Sequence, residues 1–349
     1  MTVRLGLVGL GVIGQIHLKM ATGLHDATFT AICDVRDEIV RETASQFNIA
    51  KTYTDADVLF ADQDIDGVVL ALPANLRTDL ALRAFAQGKH VLTEKPVAMN
   101  ADEVRQMIAA RGVLIAGCCS SRYRSLPSAQ FVTDFIRQGH LGQIRVVRCR
   151  AVTAAGAPPT KPPPVWRLRK DLNGGGILMN WGCYDLDYLF GVLDWQLKPQ
   201  RVMAQTWPVA PVYQHYAAPG SDAETHVAAL VHCDNGIALS YERGEFMTTQ
   251  TDEAWQIIGD RGSLRLWLKD KAGKQIYFDR ATENGTVSEV IWQGDEISEQ
   301  QHRGPAEDFA TAIRENCQPR TTLENALLMQ TLFDAIYQAA DTGACVAIT

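Results

Sequence analysis

The chain is predicted to be an α/β protein with an N-terminal Rossmann domain and a second domain built on a mainly antiparallel sheet. Three observations predict it. The apolar, β-prone run Val3-Arg4-Leu5-Gly6-Leu7-Val8 feeds straight into Gly9-Leu10-Gly11-Val12-Ile13-Gly14, and a helical pattern from Gln15 to Ala21 follows. Strand and helix patterns then alternate through the first third of the chain, as in a doubly wound sheet. From Arg201 to about Trp292 the pattern becomes a succession of alternating runs separated by turn signals.

The strand–G-x-G-x-x-G–helix arrangement is the fingerprint of a dinucleotide-binding βαβ unit. Gly9 allows the tight turn, Gly11 lets the backbone approach a pyrophosphate, and Gly14 lets helix and strand pack closely. The helix N-terminus, with Val12 and Ile13, offers unpaired N–H groups to the phosphates. The next strand, Phe29 to Cys33, ends at Asp34, twenty residues after Gly14, where a carboxylate hydrogen-bonds the ribose hydroxyls. A carboxylate there repels a 2′-phosphate, so NAD is favoured. Arg36 could pair with that phosphate and leaves NADP open.

The following elements read in order. Asp37 to Phe47 is a helix, and Asp55 caps a short helix through Phe60. Gly67 to Leu72 is a continuous apolar run suited to a buried parallel strand, ended by Pro73. Its end places Leu72, Pro73 and Asn75 among the expected cofactor contacts. Leu76, Leu80, Leu82 and Phe85 line a helix that stops at Gly88. His90 to Thr93 is a strand, followed by Glu94-Lys95-Pro96. A helix over Ala101 to Ala110 and a strand over Val113 to Ala116 complete the first domain. A helix from Ser128 to Arg137, a strand from Ile144 to Val152 and a proline-rich loop at 158–164 follow. Hairpin turns are expected at Cys233-Asp234-Asn235-Gly236-Ile237 and at Asp270 to Lys274. Helices over Pro305 to Asn316 and Leu323 to Asp341 close the chain, the second stopped by Gly343.

A length of 349 residues implies two domains, and 46% apolar with 21% charged residues is ordinary globular composition. A net charge of −7 without any Lys/Arg block argues against nucleic-acid and membrane surfaces. No stretch approaches a membrane span. Eight cysteines without C-x-x-C spacing point to a reduced, cytoplasmic protein, and the histidine spacing indicates no metal site.

Two segments carry chemistry. Lys95 follows a parallel strand, whose carboxyl end lines the ligand crevice of such sheets. Gly174-Gly175-Gly176 precedes a helical pattern in which Asn180 and Tyr184, four apart, share a face, with Asp187 one turn further along. An Asn/Tyr/Asp stripe amid apolar residues suits a helix that presents polar groups to a cleft.

Taken in order, Gly9 to Gly14, Glu94-Lys95-Pro96, Gly139-His140-Leu141-Gly142, Trp166-Arg167, Gly174-Gly175-Gly176 and the Pro305-Ala306-Glu307-Asp308-Phe309 helix resemble the Gfo/Idh/MocA family over essentially the whole chain. The resemblance implies a Rossmann domain at 1–121 and, at 122–349, a substrate-binding and oligomerisation α+β domain with a large mainly antiparallel sheet, whose last helix could pack back on the first domain. It implies NAD(P)-dependent oxidation or reduction of a sugar, polyol or related compound by a homodimer or homotetramer. Glu94 and Lys95 would join the cofactor contacts. Lys95 would bond the reacting oxygen, and Trp166 and Arg167 would approach the cofactor.

Three departures stand out. Inositol-dehydrogenase-like members carry Asp and His where this chain has Asn180 and Tyr184. The tyrosine resembles the glucose–fructose oxidoreductase branch, in which it is the acid/base. The family's Pro-x-x-x-His is Pro73 to Arg77 here, and Arg77 is expected to be solvated. Free tyrosine titrates near ~10, so Tyr184 needs the Lys95 ammonium to favour its phenolate. Asn180 would hold a substrate hydroxyl. A non-catalytic NAD/sugar sensor and an NAD-dependent glycoside-cleaving enzyme are the alternatives.

Overall fold

The computed structural model describes residues 2–160, 163–269 and 271–348. In chain order its elements are β1 (Val3–Val8), α1 (Val12–Met20), β2 (Ala27–Cys33), α2 (Asp37–Phe47), β3 (Lys51–Tyr53), α3 (Ala56–Ala61), β4 (Gly67–Leu70), α4 (Ala74–Ala86), β5 (His90–Thr93), α5 (Ala101–Arg111) and β6 (Ala116–Cys118). Then come α6 (Pro127–Arg137), β7 (Ile144–Ala154), α7 (Lys170–Asn173), α8 (Cys183–Val192), β8 (Pro199–Trp207), β9 (His226–Cys233), β10 (Ala238–Met247), β11 (Asp252–Gly259), β12 (Gly262–Leu266), β13 (Lys274–Thr282) and β14 (Gly285–Gly294). Helices α9 (Ser298–Glu315) and α10 (Leu323–Thr342) and the short strand β15 (Val346–Ala347) end it.

The chain packs as two units, Met1–Ser125 with Ser298–Leu327, and Leu126–Ile297 with Leu328–Thr349. A single cut at 121/122 therefore does not describe it. The apolar face of α9 explains why: Ala306, Phe309, Ala310 and Ala312 join the same core as Leu5, Leu7, Ile32 and Val69. The helix that returns to the first unit is thus α9, with only the start of α10 (Leu323 and Ala326) behind it.

The first unit is an all-parallel six-stranded sheet in the order β3-β2-β1-β4-β5-β6. Both faces are buried. Val68 and Val91 turn to one core with Ala81, Ala84, Phe85, Val104 and Met107, whereas Val69 and Leu92 turn to the core that holds α9. Two-sided burial is why these strands read as unbroken apolar runs. Asp55 caps α3 by accepting the N–H of Asp57 at 2.9 Å.

The second unit carries a nine-stranded sheet, β14-β13-β12-β11-β7-β10-β9-β8-β15. Every pairing is antiparallel except β7 with β10. Period-two burial is clear in it: Val147, Cys149 and Ala151 are buried while Arg148 and Arg150 are exposed. Asn235 and Gly236 take positive φ at the β9–β10 turn, as Asn-Gly predicts.

Several expectations need correction. Leu76 is 48% exposed, and α4 buries Ala74, Arg77, Thr78 and Ala81 instead. Val113 is exposed and precedes the strand, which is Ala116–Cys118. Pro305 lies inside α9 rather than at its start, because the helix already begins at Ser298. The segment after the glycines is no uniform α-helix: Leu178–Gly182 forms a π-turn before α8. Lys161 and Pro162 of the proline-rich loop, and Asp270 of the second expected hairpin turn, lie outside the described residues.

Candidate functional site

In the first unit, Gly9, Asp34, Leu72, Pro73, Glu94 and Lys95 follow β1, β2, β4 and β5, which are parallel neighbours, so they share one edge of the sheet. That carboxyl edge is where open α/β sheets bind ligands. Gly9 has φ +96° and a Cβ there would overlap the carbonyl of Ala71; a Cβ on Gly14 would overlap the carbonyl of Gly9. Gly11 differs, since a Cβ on it meets nothing within 4 Å. Gly9 and Gly14 are required by the fold, whereas Gly11 keeps open the space where a pyrophosphate would approach. Gly11 is also the N-cap of α1 and supplies no side-chain cap, and the first turn holds no acid. Exposed Val12 and half-buried Ile13 complete that turn. These residues fit a dinucleotide.

Asp34 accepts the Leu10 N–H at 2.9 Å through Oδ2 and the Arg36 N–H at 3.1 Å through Oδ1. The Arg36 guanidinium grips both oxygens, at 2.8 and 2.9 Å. Burial works against the Asp34 carboxylate, but the hydrogen bonds from Arg36 and Leu10 outweigh it and lower its pKa. Arg36 is thus committed to Asp34.

Glu94 does not face outward as a cofactor contact would. It is 2% exposed, and its Oε1 meets His17 Nε2 at 2.9 Å and accepts from Arg122 Nη2 at 3.2 Å. Burial would keep it protonated; Arg122, His17 and Arg77 overrule this and hold it ionised well below the usual carboxylate range. Its Oε2 accepts the Lys95 N–H at 3.2 Å. His17, Glu94 and Cys119 place ligand atoms within 4.8 Å of one another. Arg122 already compensates the carboxylate there, so a metal ion would face a guanidinium. Lys95 itself is half-buried, and its peptide bond to Pro96 is cis.

Arg77 corrects the expectation of a solvated side chain. It is 5% exposed and donates to the carbonyls of Leu72 (Nε, 2.8 Å), Glu94 (Nη1, 3.0 Å) and Pro96. Asn75, in the first turn of α4, is exposed.

In the second unit, the triple glycine serves close packing. A Cβ on Gly175 would overlap the Tyr337 hydroxyl, and one on Gly176 the carbonyl of Glu224. Glu224 accepts the N–H groups of Gly176 and Leu178, each at 3.0 Å, and the Tyr337 hydroxyl at 2.9 Å. A carboxylate from β9's approach therefore satisfies the start of the Ile177–Val192 helical segment. Burial raises the Glu224 pKa against those bonds.

Asn180 is half-buried in the π-turn and Tyr184 is buried in the first turn of α8. Asp187, the third member of the expected polar stripe, is fully buried. Asp185, beside it, is fully buried too, pairing with Arg243 Nη1 at 3.3 Å and accepting from the Tyr241 hydroxyl at 3.2 Å. Burial pushes the Asp185 pKa up; Arg243 and Tyr241 oppose this. Arg243 also lies over the Trp181 ring at 4.3 Å, and Tyr184 meets that ring edge-on at 5.6 Å. A cavity of about 320 Å³ opens here, walled by Trp181, Tyr216 and Phe246, with Arg243, Glu245 and Lys269 on its lining. Trp166 is 41% exposed, and Arg167 is ion-paired with Glu245.

Sequence reasoning missed Glu224, Asp185 and Arg243, and placed Arg77 in solvent.

Two domain profiles of one family match the chain. "Oxidoreductase family, NAD-binding Rossmann fold" covers residues 3–112, and "GFO/IDH/MocA C-terminal domain" covers 129–265. The chain is 29% identical over 195 residues to myo-inositol 2-dehydrogenase of Thermotoga maritima, an alignment spanning 54% of this chain and 55% of that enzyme. It is 26% identical to 1,5-anhydro-D-fructose reductase of Ensifer adhaerens across 97% of each chain. The structure of levoglucosan dehydrogenase in complex with NADH superposes with a TM-score of 0.86 over 100% of both chains at 20% identity, which establishes a shared fold. With its glycine turn, its Asp34 and both domain profiles in register, the chain belongs to the GFO/IDH/MocA family of NAD-binding oxidoreductases.

Proposed function

We propose that this chain transfers a hydride between NAD and a hydroxyl-bearing carbon of a sugar or polyol. The nicotinamide supplies the hydride acceptor or donor when NAD is bound. Lys95 hydrogen-bonds the reacting oxygen, and Tyr184 takes or gives its proton. Asn180 holds a neighbouring hydroxyl. The 320 Å³ cavity has Trp181, which Tyr184 meets edge-on, in its wall but not Lys95, Asn180 or Tyr184; its aromatic walls and charged lining suit a polyhydroxylated ring, which has apolar C–H faces and a polar rim. The names of the relatives, which include inositol and anhydrofructose enzymes, point to the same substrate class.

The observation that carries this reading is the placement of Lys95 on the carboxyl edge of the sheet, with its peptide N–H held by the buried Glu94. The test is absorbance at 340 nm with a panel of sugars, inositols and sugar acids, run with NAD and NADP side by side. Lys95→Ala and Tyr184→Phe should each lower turnover at least ~10²-fold while NAD affinity stays nearly intact. Near-wild-type rates in both variants would reject the assignment.

The reading extends to a homo-oligomer in the reducing cytoplasm, where buried thiols such as Cys33 and Cys149 stay reduced. Met203 and Leu230, each 58% exposed on neighbouring strands β8 and β9, mark an apolar patch on the open sheet face that a second copy would cover. Sedimentation velocity should give a dimer or tetramer, and a Met203→Lys/Leu230→Lys variant should shift it to monomer; a monomeric wild-type chain would exclude this assembly.

A further inference from the structure

The roles assigned to Lys95 and Tyr184 leave Arg77 unused, yet its burial needs an explanation. A guanidinium removed from water is costly unless its donors are satisfied. Here they run to main-chain oxygens: Nε and Nη2 to Leu72 O at 2.8 and 2.5 Å, and Nη1 to Glu94 O at 3.0 Å and to Pro96 O. Leu72 O belongs to the loop after β4, and Glu94 and Pro96 flank Lys95 after β5. One planar fork therefore ties together two adjacent loops on the carboxyl edge. Lysine, a point donor, does not reproduce that fork.

The peptide groups around residue 95 are pinned from two sides. Arg77 holds the carbonyls of residues 94 and 96. Glu94 Oε2 holds the N–H of residue 95, and Arg77 is among the charges that keep Glu94 ionised. With both flanks fixed, the lysine side chain leaves the backbone from one defined point, which is what orientation of a reacting group requires.

We propose that Arg77 is a positioning residue that sets where Lys95 stands relative to the loop after β4. The inference rests on the proposed role of Lys95. The test compares Arg77→Met, which removes charge and fork, with Arg77→Lys, which keeps the charge and loses the fork; the second serves if the first does not fold. Each is measured alone and in the Lys95→Ala background. Alone, Arg77→Met should lower kcat about 10–100-fold, the size of loss that a small misplacement of a reacting group produces. Arg77→Lys should lose less. The loss should fall on kcat far more than on the KM for the sugar, because orientation rather than binding is lost. In the Lys95→Ala background the same changes should cost almost nothing further, since residues that act through one another are not additive.

Wild-type kcat in both Arg77 variants would overturn the proposal. So would a loss that falls on KM alone, or an equal loss in the Lys95→Ala background, because either marks an arginine that does not act through Lys95. If Lys95→Ala alone turns over at the wild-type rate, the role assigned to Lys95 falls, and the positioning role of Arg77 with it, while hydride transfer stands. If Lys95→Ala collapses and the Arg77 variants do not, only the positioning role falls.

Discussion

Along the carboxyl edge of the six-stranded sheet, the groups that would meet a dinucleotide are mostly main chain: the turn at Gly9, the open approach at Gly11, and the uncapped N-terminus of α1. In the nine-stranded unit the cavity and the helix start beside it are held together by side chains drawn from distant segments. Trp181, Asp185 and Tyr184 come from one helical segment, Tyr241 and Arg243 from β10, and Glu224 and Tyr337 from positions 113 residues apart. A backbone-built site tolerates many side chains but few departures in glycine. A side-chain-built site can change its ligand by substitution while its fold persists.

The sharpest way to break that contrast lies within the glycine turn itself. Gly14→Val should cost about 3 kcal/mol or more of stability, because the added atoms meet a main-chain carbonyl that cannot move aside. Gly11→Ala should leave the thermal midpoint unchanged and weaken NAD about tenfold, equivalent to ~1.4 kcal/mol, because its Cβ enters only the space of the pyrophosphate. Thermal melts and fluorescence titration with NAD check both. Equal destabilisation of the unliganded chain by the two would erase the distinction between fold glycine and ligand glycine.

A smaller effect sharpens the side-chain half. Glu224→Ala leaves the Gly176 and Leu178 N–H groups and the Tyr337 hydroxyl without their acceptor. It should destabilise the protein by ~2–3 kcal/mol in a urea titration. A loss under about 0.5 kcal/mol would mean that the helix start is satisfied by other means.

What could be read from residue order follows the same division. The glycine turn, Asp34 and the strand before Lys95 are signalled within about thirty residues, because a βαβ unit is a local motif with fixed spacing. The helix at Asp37–Phe47 and the turn at Asn235-Gly236 were legible for the same reason. Arg77 was not: its acceptors are carbonyls 5 to 19 positions away, and carbonyls carry no residue identity. Nor were the partners of Asp185, which lie 56 and 58 residues off on β10. The π-turn at Leu178–Gly182 escaped because periodicity alone assumes a regular helix. Pro305 misled, since proline favours a first helical turn but here sits inside α9.

Because Phe309 and its neighbours on α9 complete the core beneath the first strands of the sheet, the nucleotide-binding half cannot finish folding when its own strands leave the ribosome. Translation must pass through more than 170 further residues before that core closes. During that interval the apolar underside of β1, β2 and β4 is the surface a chaperone would shield.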